Sequence, residues 1–362
     1  DSGFIVFNRR NYPYFSQFID DLGVKAKASD MSFGVRDDLS GMEYCASARW
    51  QSLLARKRNA VSPAFYRMLG DIRHFYATAP AALTDMDAQL TLAEYVDQMA
   101  YSEAFKRWHL LPMAAALWSA SYQQIQHYPM RYLLSFMQNH SMLSIRDRPQ
   151  WLTIDGGSQA YVRAFQQRSD AHIRMSDPVH EVFRKGRSIY VQSRQSTEHY
   201  DAVLFACHSD QALTLLRDAS EHQRSVLANI RYQDNEAILH SDPSVMPKRR
   251  SAWGSWTVRL NDDFQQRCTV SYYMNRLQGL SGRDYIVSLN QGAQINPDLV
   301  HARRIYAHPV YDPKMLAAQS RWREICGQGI YFAGAYWGWG FHEDGARSAV
   351  RAVDAMNYEY SG

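Results

Sequence analysis

Small residues, aromatic rings and two carboxylates occur together in one short stretch, "GIYFAGAYWGWGFHEDGARSAVRAVDAM", residues 329–356. The apolar run at 330–333 is typical of a buried strand, and the pattern after Glu343-Asp344 indicates a helix. Glycines at the end of a strand let a ligand approach the backbone closely. The amides and dipole of a helix N-terminus favour an anionic or electron-rich group. This combination predicts a site for a flat, electron-rich cofactor.

Glycines 334, 338, 340 and 345 are more than a single turn needs. A bound cofactor explains them better than packing alone. The helix is expected to begin near Asp344, so Glu343 and Asp344 also suit capping of its first turn. For Asp344 the capping role and the cofactor role are both left open.

The rest of the sequence predicts two further segments that could border a ligand, and it contains no common metal or hydrolase motif. "DGGSQAYV" (155–162) predicts a second glycine turn opening a helix, and "YDAVLFACHS" predicts a buried strand at 202–206 that ends in a polar turn. The histidines are dispersed, with no HxH or HExxH spacing, and no GxSxG elbow occurs. A metal site and a serine hydrolase are therefore not expected.

Composition limits the class of protein. Of the 362 residues 46% are hydrophobic, and the net charge of +4 is mild. The basic run Lys248-Arg249-Arg250 is too short to predict a nucleic-acid surface and reads as a solvated loop. Four dispersed cysteines indicate reduced thiols and a cytoplasmic enzyme. No secretory leader and no apolar run of about 20 residues is visible, although peripheral contact with a membrane is left open.

Segments with a βα pattern are interrupted by a helical block. From Ser62 to His140 the chain is helical, with Ser62-Pro63 as a predicted helix start and Thr91 with Glu94 as a capping box. This helical block (62–140) is rich in methionine and aromatic residues, and both a self-packed core and the lining of an apolar pocket fit it. The methionines and tryptophans in question are Met99, Met113, Met130, Met137, Met142, Trp108 and Trp118.

Several ordered segments resemble a bacterial family of predicted FAD-binding oxidoreductases within the flavin-containing amine oxidase and phytoene desaturase superfamily. They include "DSGFIVFN", "WLTIDGGSQAYV", "VLFACHSDQAL", "MPKRRSAWGSW", "HPVYD" and above all "YFAGAYWGWGFHEDGARSA". The resemblance implies an α/β fold with an α+β substrate part, namely the p-hydroxybenzoate-hydroxylase-like two-domain FAD fold built from interleaved segments. The implied FAD-binding domain is 1–30, 150–215 and 310–362, and the substrate domain is 31–149 and 216–309.

The resemblance also implies which residues contact FAD. The turn would lie against the isoalloxazine, with Tyr336, Trp337 and Trp339 walling the ring and the amides around His342 facing its electron-rich edge. The implied cofactor-binding residues are Gly3, Phe4, Val179, Ala206, Cys207, Gly334, Ala335, Gly340, His342, Glu343, Asp344, Gly345 and Ala346. No catalytic base is assigned, and His342, Glu343 and Tyr336 are candidates by position alone.

One feature of the family does not occur in this sequence. The family opens with a Rossmann βαβ unit carrying GxGxxG, and that motif is not found here. "DSGFIVFN" corresponds to the segment after that unit, so the N-terminal βαβ unit is expected to be missing.

The expected function is that of an FAD-dependent oxidoreductase taking a hydride from an apolar, fatty-acyl or isoprenoid substrate. Two alternatives are left open. One is oxidation of a small amine, and the other is a scaffold that no longer binds the cofactor. Neither nucleic acid nor metal is an expected partner.

Overall fold

The structure is a computed structural model that describes residues 1–47, 50–118, 120–143, 148–186, 188–261 and 267–360. The chain divides into two compact units. The larger unit comprises 1–11, 26–158 and 234–306, and the smaller unit comprises 12–25, 159–233 and 307–362.

The strands occupy short segments spread along the chain. They are β1 (Ala26–Ala28), β2 (Phe33–Asp37), β3 (Glu43–Ala46), β4 (Leu152–Ile154), β5 (Val179–Lys185), β6 (Ser188–Ser193), β7 (Thr197–Tyr200), β8 (Val203–Phe205), β9 (Tyr232–His240), β10 (Trp256–Leu260), β11 (Thr269–Tyr273), β12 (Ile286–Leu289), β13 (Val300–Pro309) and β14 (Ile330–Phe332).

The α-helices are concentrated between residues 50 and 139 and near the C-terminus. They are α1 (Pro13–Asp21), α2 (Trp50–Leu53), α3 (Pro63–Asp85), α4 (Leu92–Gln98), α5 (Glu103–Phe105), α6 (Leu111–Trp118), α7 (Tyr122–Gln126), α8 (Met130–Asn139), α9 (Gln159–Arg168), α10 (Ser209–Leu215), α11 (Glu221–Leu227), α12 (Met274–Gln278), α13 (Pro313–Ser320), α14 (Trp322–Ile325) and α15 (His342–Tyr360). In the described part of the chain, none of them is both long and apolar enough to cross a bilayer.

A seven-stranded sheet with the order β13-β9-β12-β11-β10-β2-β3 forms the centre of the larger unit. β10 and β2 are parallel, whereas β2–β3, β10–β11, β11–β12 and β12–β9 are antiparallel. The inner strands are rich in β-branched and aromatic residues, which suit a pleated, half-buried surface. Val35, Val258, Val270 and Ile286 are fully buried in this core. β2 and β3 form an antiparallel hairpin around the turn at 38–41.

The helical block follows its predicted start signals. The Ser62 hydroxyl accepts a hydrogen bond from the Phe65 amide at 3.3 Å and caps α3, where Pro63 is the first residue. Thr91 and Glu94 form the capping box of α4. The helical spacing of apolar residues on α3 predicts a packed face, and four of its six residues are buried, whereas Leu69 and Ile72 are half-buried. The four buried residues are Phe65, Met68, Phe75 and Tyr76.

A buried carboxylate joins the helical block to the sheet. Asp37 ends β2, and its side chain accepts two hydrogen bonds from the Arg107 guanidinium, both at 2.9 Å. The Trp108 indole and the Ser40 hydroxyl donate to the same carboxylate at 2.9 and 2.7 Å. Burial by itself would raise the pKa of Asp37, but the hydrogen bonds from Arg107, Ser40 and Trp108 outweigh it and lower the pKa to about 2.

A π-helical turn at Lys106–Leu110 makes this junction possible, because its wider winding aims successive side chains at the sheet. His109 lies between two tyrosine hydroxyls, Tyr44 at 3.2 Å from Nδ1 and Tyr76 at 3.1 Å from Nε2. Since the Tyr44 hydroxyl donates to the Trp108 carbonyl, Nδ1 carries the imidazole proton. Burial lowers the pKa of His109 to about 3, so it is a neutral structural link.

The smaller unit contains an antiparallel three-stranded sheet, β5-β6-β7, and a parallel pair, β14-β8. In the pair, Phe332 lies opposite Phe205, and their rings stack with centroids 5.4 Å apart. The strand predicted at 330–333 is confirmed as β14, whose residues are all buried. α15 follows it and begins at His342, two residues before the predicted start.

The units divide the chain differently from the predicted domains. The predicted FAD-binding segments are split between the two units. The smaller unit contains 12–25, 159–215 and 310–362, and the larger unit contains 1–11, 26–30 and 150–158. The reason is backbone pairing: β1 and β4 are antiparallel partners, and Phe7 exchanges backbone hydrogen bonds with Leu152. Which segments bind FAD stays a prediction.

Candidate functional site

The glycine-rich strand–turn–helix of the smaller unit is held in shape by polar contacts from its own helix. The Gly334 amide donates to the Ser348 hydroxyl at 2.9 Å, which ties the end of β14 to α15. A 3₁₀ turn at Ala335–Trp337 follows, and α15 begins at His342. The first-turn amides of α15 have no acceptor within the helix and so are donors for an external group.

Three of the four glycines make room for the protein's own side chains. A Cβ atom on Gly334 would lie 2.3 Å from the Tyr336 ring, and one on Gly338 would lie 2.2 Å from the carboxylate of Asp344. Gly340 has φ +91°, and a Cβ there would meet the Tyr311 hydroxyl at 2.4 Å. These glycines are therefore required by internal packing, whatever else binds at the turn.

Gly345 is different. The nearest atom to a Cβ placed there is the Ala335 amide nitrogen at 3.9 Å, an ordinary van der Waals distance. Gly345 thus leaves space between the first turn of α15 and the 3₁₀ turn. Of the four predicted positions, it has the most room for a ligand.

Both carboxylates at the helix start are engaged in capping. Glu343 accepts hydrogen bonds from the Phe15 and Tyr14 amides at 3.0 and 3.3 Å, and so caps the N-terminus of α1. Asp344 accepts from the Phe341 amide at 3.0 Å and contacts the Arg347 guanidinium. Burial raises the pKa of both groups. The capping role left open for Asp344 is confirmed, and neither carboxylate projects freely into the turn.

A residue that the sequence did not single out fixes the aromatic turn. Gln319 on α13 donates from its side-chain amide to the carbonyls of Tyr336 at 2.8 Å and Gly338 at 2.6 Å. One side chain thereby closes both ends of the segment 336–338. Nothing near Gln319 in the sequence indicates this role, because its partners lie 17 and 19 positions away.

Two polar atoms in the aromatic turn are buried without a partner. Tyr336 and Trp337 are 3% and 8% exposed, and among the described residues neither the Tyr336 hydroxyl nor the Trp337 indole N–H is hydrogen-bonded. Buried polar groups are ordinarily satisfied, so an orphaned pair marks a place for an external acceptor or donor. Together with the space at Gly345, this fits a flat heteroaromatic group such as a flavin.

Ala206 and Cys207 lie near the turn. They follow β8, and Gly334 and Ala335 follow β14, its parallel neighbour, so all four residues leave the same end of the strand pair. Burial raises the pKa of the Cys207 thiol, which is therefore not primed as a nucleophile.

The other predicted residues are more scattered. Val179 begins β5 in the three-stranded sheet and is 36% exposed. Gly3 and Phe4 belong to the larger unit, where the Phe4 ring lies 6.3 Å from that of Phe7. The contribution of these residues to FAD binding stays a prediction.

His342 is the titratable group closest to the helix start. It is enclosed by the edge of the Phe15 ring at 5.3 Å and by the Tyr161 hydroxyl, 3.4 Å from Nε2. Burial lowers its pKa to about 4, so the imidazole is neutral at physiological pH. Ala346 follows on the same helix and is half-buried. Within the described ranges, no group of three or more His, Cys, Asp or Glu side chains could hold a metal ion.

Comparison with known proteins assigns the chain to a family through its first two thirds. The sequence model of the flavin containing amine oxidoreductases matches residues 1–239, about two thirds of the chain, and the match ends before the glycine-rich turn. No curated protein matches. The resemblance noted from the sequence is thereby confirmed at the level of the superfamily.

Solved structures extend the likeness over the whole chain. Cyclohexylamine oxidase from Brevibacterium oxydans superimposes with a TM-score of 0.67 at 14% identity, covering 100% of this chain and 88% of that one. A fatty acid isomerase from P. acnes, which produces CLA, gives 0.66 at 12% identity, covering 98% and 86%. A redesigned putrescine oxidase gives 0.65 at 11% identity, covering 99% and 88%. At these identities the likeness establishes the fold, and the predicted α/β fold class is confirmed. The chain is a member of the flavin containing amine oxidoreductase family.

Proposed function

We propose that the protein is an FAD-dependent oxidoreductase whose glycine-rich turn, 334–346, receives the flavin. The observations that carry this proposal are the room at Gly345 and the orphaned donors of Tyr336 and Trp337 in the turn that precedes it. When bound, FAD supplies a two-electron acceptor for a hydride from the substrate. The parallel pair β8 and β14 followed by α15 supports a Rossmann-type arrangement for this half of the protein.

Each part of the turn has a definite task in this proposal. The first-turn amides of α15 and its positive dipole end stabilise negative charge on the cofactor. Gln319 holds the aromatic turn in one conformation, and the rings of Tyr336 and Trp337 exclude water from one side of the site. Neutral His342 is a candidate proton acceptor by position alone, and no base is assigned.

The substrate that we propose is apolar, with a fatty-acyl or isoprenoid chain. Support comes from the larger unit, where the buried carboxylates in the described residues already have partners. Asp37 pairs with Arg107, and Glu43 pairs with Arg249. Asp71 accepts a hydrogen bond from the Ser102 amide at 3.0 Å, and Asp242 accepts one from the Asn296 amide at 2.8 Å. A cationic amine would have to compete with these hydrogen bonds and ion pairs for any buried carboxylate among the described residues of that unit.

The helical block adds apolar surface but does not by itself demonstrate a pocket. Met113, Met130 and Met137 are buried in it, as a self-packed core requires. Flexible thioethers can also adjust around an apolar guest, so the block stays our candidate for the substrate lining.

Oxidation of a small amine is the second candidate. Two of the similar structures are a cyclohexylamine oxidase and a putrescine oxidase. Aromatic rings also attract ammonium groups through their faces, so the aromatic-rich turn is compatible with such a substrate.

Two ligand series separate these candidates. Straight-chain fatty acids and alkylamines of matched lengths would be titrated against the protein in the presence of saturating FAD, with flavin fluorescence as the signal. An apolar pocket adds about 0.8 kcal/mol per buried methylene, or about fourfold in affinity, until the pocket ends. We expect this climb in both series, since chain length and not the headgroup determines affinity. Tight binding of short polar amines with no dependence on length would contradict the apolar substrate and favour the amine.

A further inference from the structure

One surface of the larger unit combines two basic runs with strongly exposed apolar side chains. The first run, Arg56-Lys57-Arg58, leads into and begins a 3₁₀ turn at Lys57–Val61, and was not singled out from the sequence. The second is Lys248-Arg249-Arg250. We refer to these runs and the apolar side chains beside them as the basic apolar surface; its members are Leu39, Trp50, Arg56, Lys57, Arg58, Val61, Tyr66, Lys248, Arg249 and Arg250.

Glu43 holds the two basic runs together. Its carboxylate accepts from the Lys248 amide at 2.8 Å and from the Arg249 guanidinium at 2.9 Å. Its backbone carbonyl accepts from the Asn59 side chain at 3.0 Å, directly after the first run. Because Glu43 is buried and lies on β3, both runs are fixed to the edge of the central sheet.

Positive charge is left uncompensated on this surface. Arg249 and Arg250 pair with Glu43 and Asp284. Among the residues that the structure describes, no carboxylate forms an ion pair with the other four cations. Those cations are Arg56, Lys57, Arg58 and Lys248.

Large apolar side chains stand in water beside these charges. Trp50 is 68% exposed, Val61 77% and Leu39 57%. Tyr66 is 53% exposed, and its hydroxyl donates to the Ala60 carbonyl at 3.0 Å, next to Val61. The Arg56 guanidinium donates to the Ser40 carbonyl at 3.1 Å, which places Leu39 beside the first basic run. Exposed apolar side chains that occur together mark interaction surfaces, whereas single ones do not.

We propose that the basic apolar surface docks on a membrane surface that carries anionic phospholipids. Each lysine or arginine near such a surface contributes about 1 kcal/mol, and apolar side chains that enter the headgroup region add to this. Tryptophan favours that region because its ring is apolar and its N–H is polar. Leu39 and Val61 are aliphatic and cannot stack on bases, so the composition favours lipid over single-stranded nucleic acid.

Vesicle sedimentation with the full chain tests this proposal. The protein would be mixed with vesicles of phosphatidylcholine alone, or of phosphatidylcholine with phosphatidylserine, at low and at high salt. We expect binding only to the anionic vesicles, weakened by salt because charge attraction is screened. The double variant Lys57→Glu/Arg58→Glu should reduce the partition coefficient at least about tenfold, and Trp50→Ser/Val61→Ser should reduce it by a similar factor.

Matched controls keep the outcome decisive. Arg283→Glu/Arg304→Glu makes the same charge change at exposed positions elsewhere on the larger unit and should bind at least two- to threefold more tightly than Lys57→Glu/Arg58→Glu. All variants should unfold at the wild-type temperature, because the substituted side chains are exposed. Equal binding to both vesicle types, or binding that neither surface variant reduces, would overturn the proposal. Tighter retention by single-stranded RNA than by the anionic vesicles would also overturn it. The assay uses neither flavin nor substrate, so its result is independent of the proposed oxidation.

Discussion

Replacement of Gly345 by valine is expected to abolish FAD retention while leaving the apoprotein folded. The space around Gly345 accepts a Cβ, whose nearest neighbour would be the Ala335 amide nitrogen at 3.9 Å, so the first added carbon meets no clash in the protein. A flavin packed against the first turn of α15 would meet the added methyl groups. Overpacking of about 3 kcal/mol corresponds to a loss of about 100-fold in affinity. Titration of apoprotein with FAD, followed by fluorescence quenching, measures this loss.

The alanine variant at the same position provides the internal control. Gly345→Ala should raise the free energy of unfolding of the apoprotein by about 0.5–1 kcal/mol, because alanine favours a helix over glycine. Its affinity for FAD should nevertheless fall, by less than that of the valine variant. If Gly345→Val binds FAD as tightly as the wild type, the placement of the flavin at this turn is wrong.

Removal of the Asp37 carboxylate is expected to cause the largest loss of stability. In Asp37→Ala, the half-buried Arg107 guanidinium and Trp108 indole would both lose their hydrogen bonds to this carboxylate. Hydrogen bonds to a charged group contribute about 1.5–3 kcal/mol, and we expect a loss of about 2–3 kcal/mol because the Arg107 side chain is 27% exposed and water can partly replace the carboxylate. Urea unfolding followed by circular dichroism measures the difference.

The neighbouring aspartate is the matched control. Asp38 pairs with Arg36 and Arg259, but its side chain is 28% exposed. Asp38→Ala should therefore cost about 1 kcal/mol or less. Equal losses for the two variants would contradict the structural role of Asp37.

The same group predicts how stability depends on pH. The pKa of Asp37 falls from 3.8 to about 2 on folding, so the folded state binds its proton less tightly than the unfolded state. This contribution to stability is complete above pH 3.8 and is lost as the pH falls towards about 2. Asp37→Ala should lack this acid-dependent component, whereas Asp38→Ala should retain it.

The sequence was sufficient to predict the strand, turn and helix of the glycine-rich segment. It was not sufficient to predict which side chains pack against the glycines. The strand, the turn and the helix are all present, because apolar runs and helical spacing act over a few residues. The space at Gly340 is taken by Tyr311, and that at Gly338 by Asp344. Such packing could not be inferred from spacing, since it depends on how distant segments fold together.

Long-range hydrogen bonds explain the other difference at the site. Glu343 was expected to cap its own helix, but its carboxylate caps α1, whose amides lie 328 and 329 positions earlier in the chain. Its contact with the cofactor stays a prediction. The residues next to Glu343 in the sequence give no indication that it contacts α1. By contrast, the capping role of Asp344 involves an amide only three residues away, and the sequence allowed for it.

In the helical block, too, local features were predictable from the sequence and features that depend on distant contacts were not. Its helix starts at Ser62 and Thr91 were predictable because capping is local. The π-helical turn at Lys106–Leu110 was not, because it exists to bring Arg107 and His109 to partners on β2 and β3. Whether the buried methionines also line a substrate pocket is decided by tertiary packing around a ligand and stays a proposal.

The visible absorption spectrum of the purified full chain, recorded after addition of FAD and removal of the unbound cofactor, tests the central claim most directly. If the turn at 334–346 receives the flavin, the protein retains the two flavin absorption bands, and they disappear from Gly345→Val prepared in the same way. A folded wild-type protein that remains colourless would contradict the account and would favour a scaffold that no longer binds FAD.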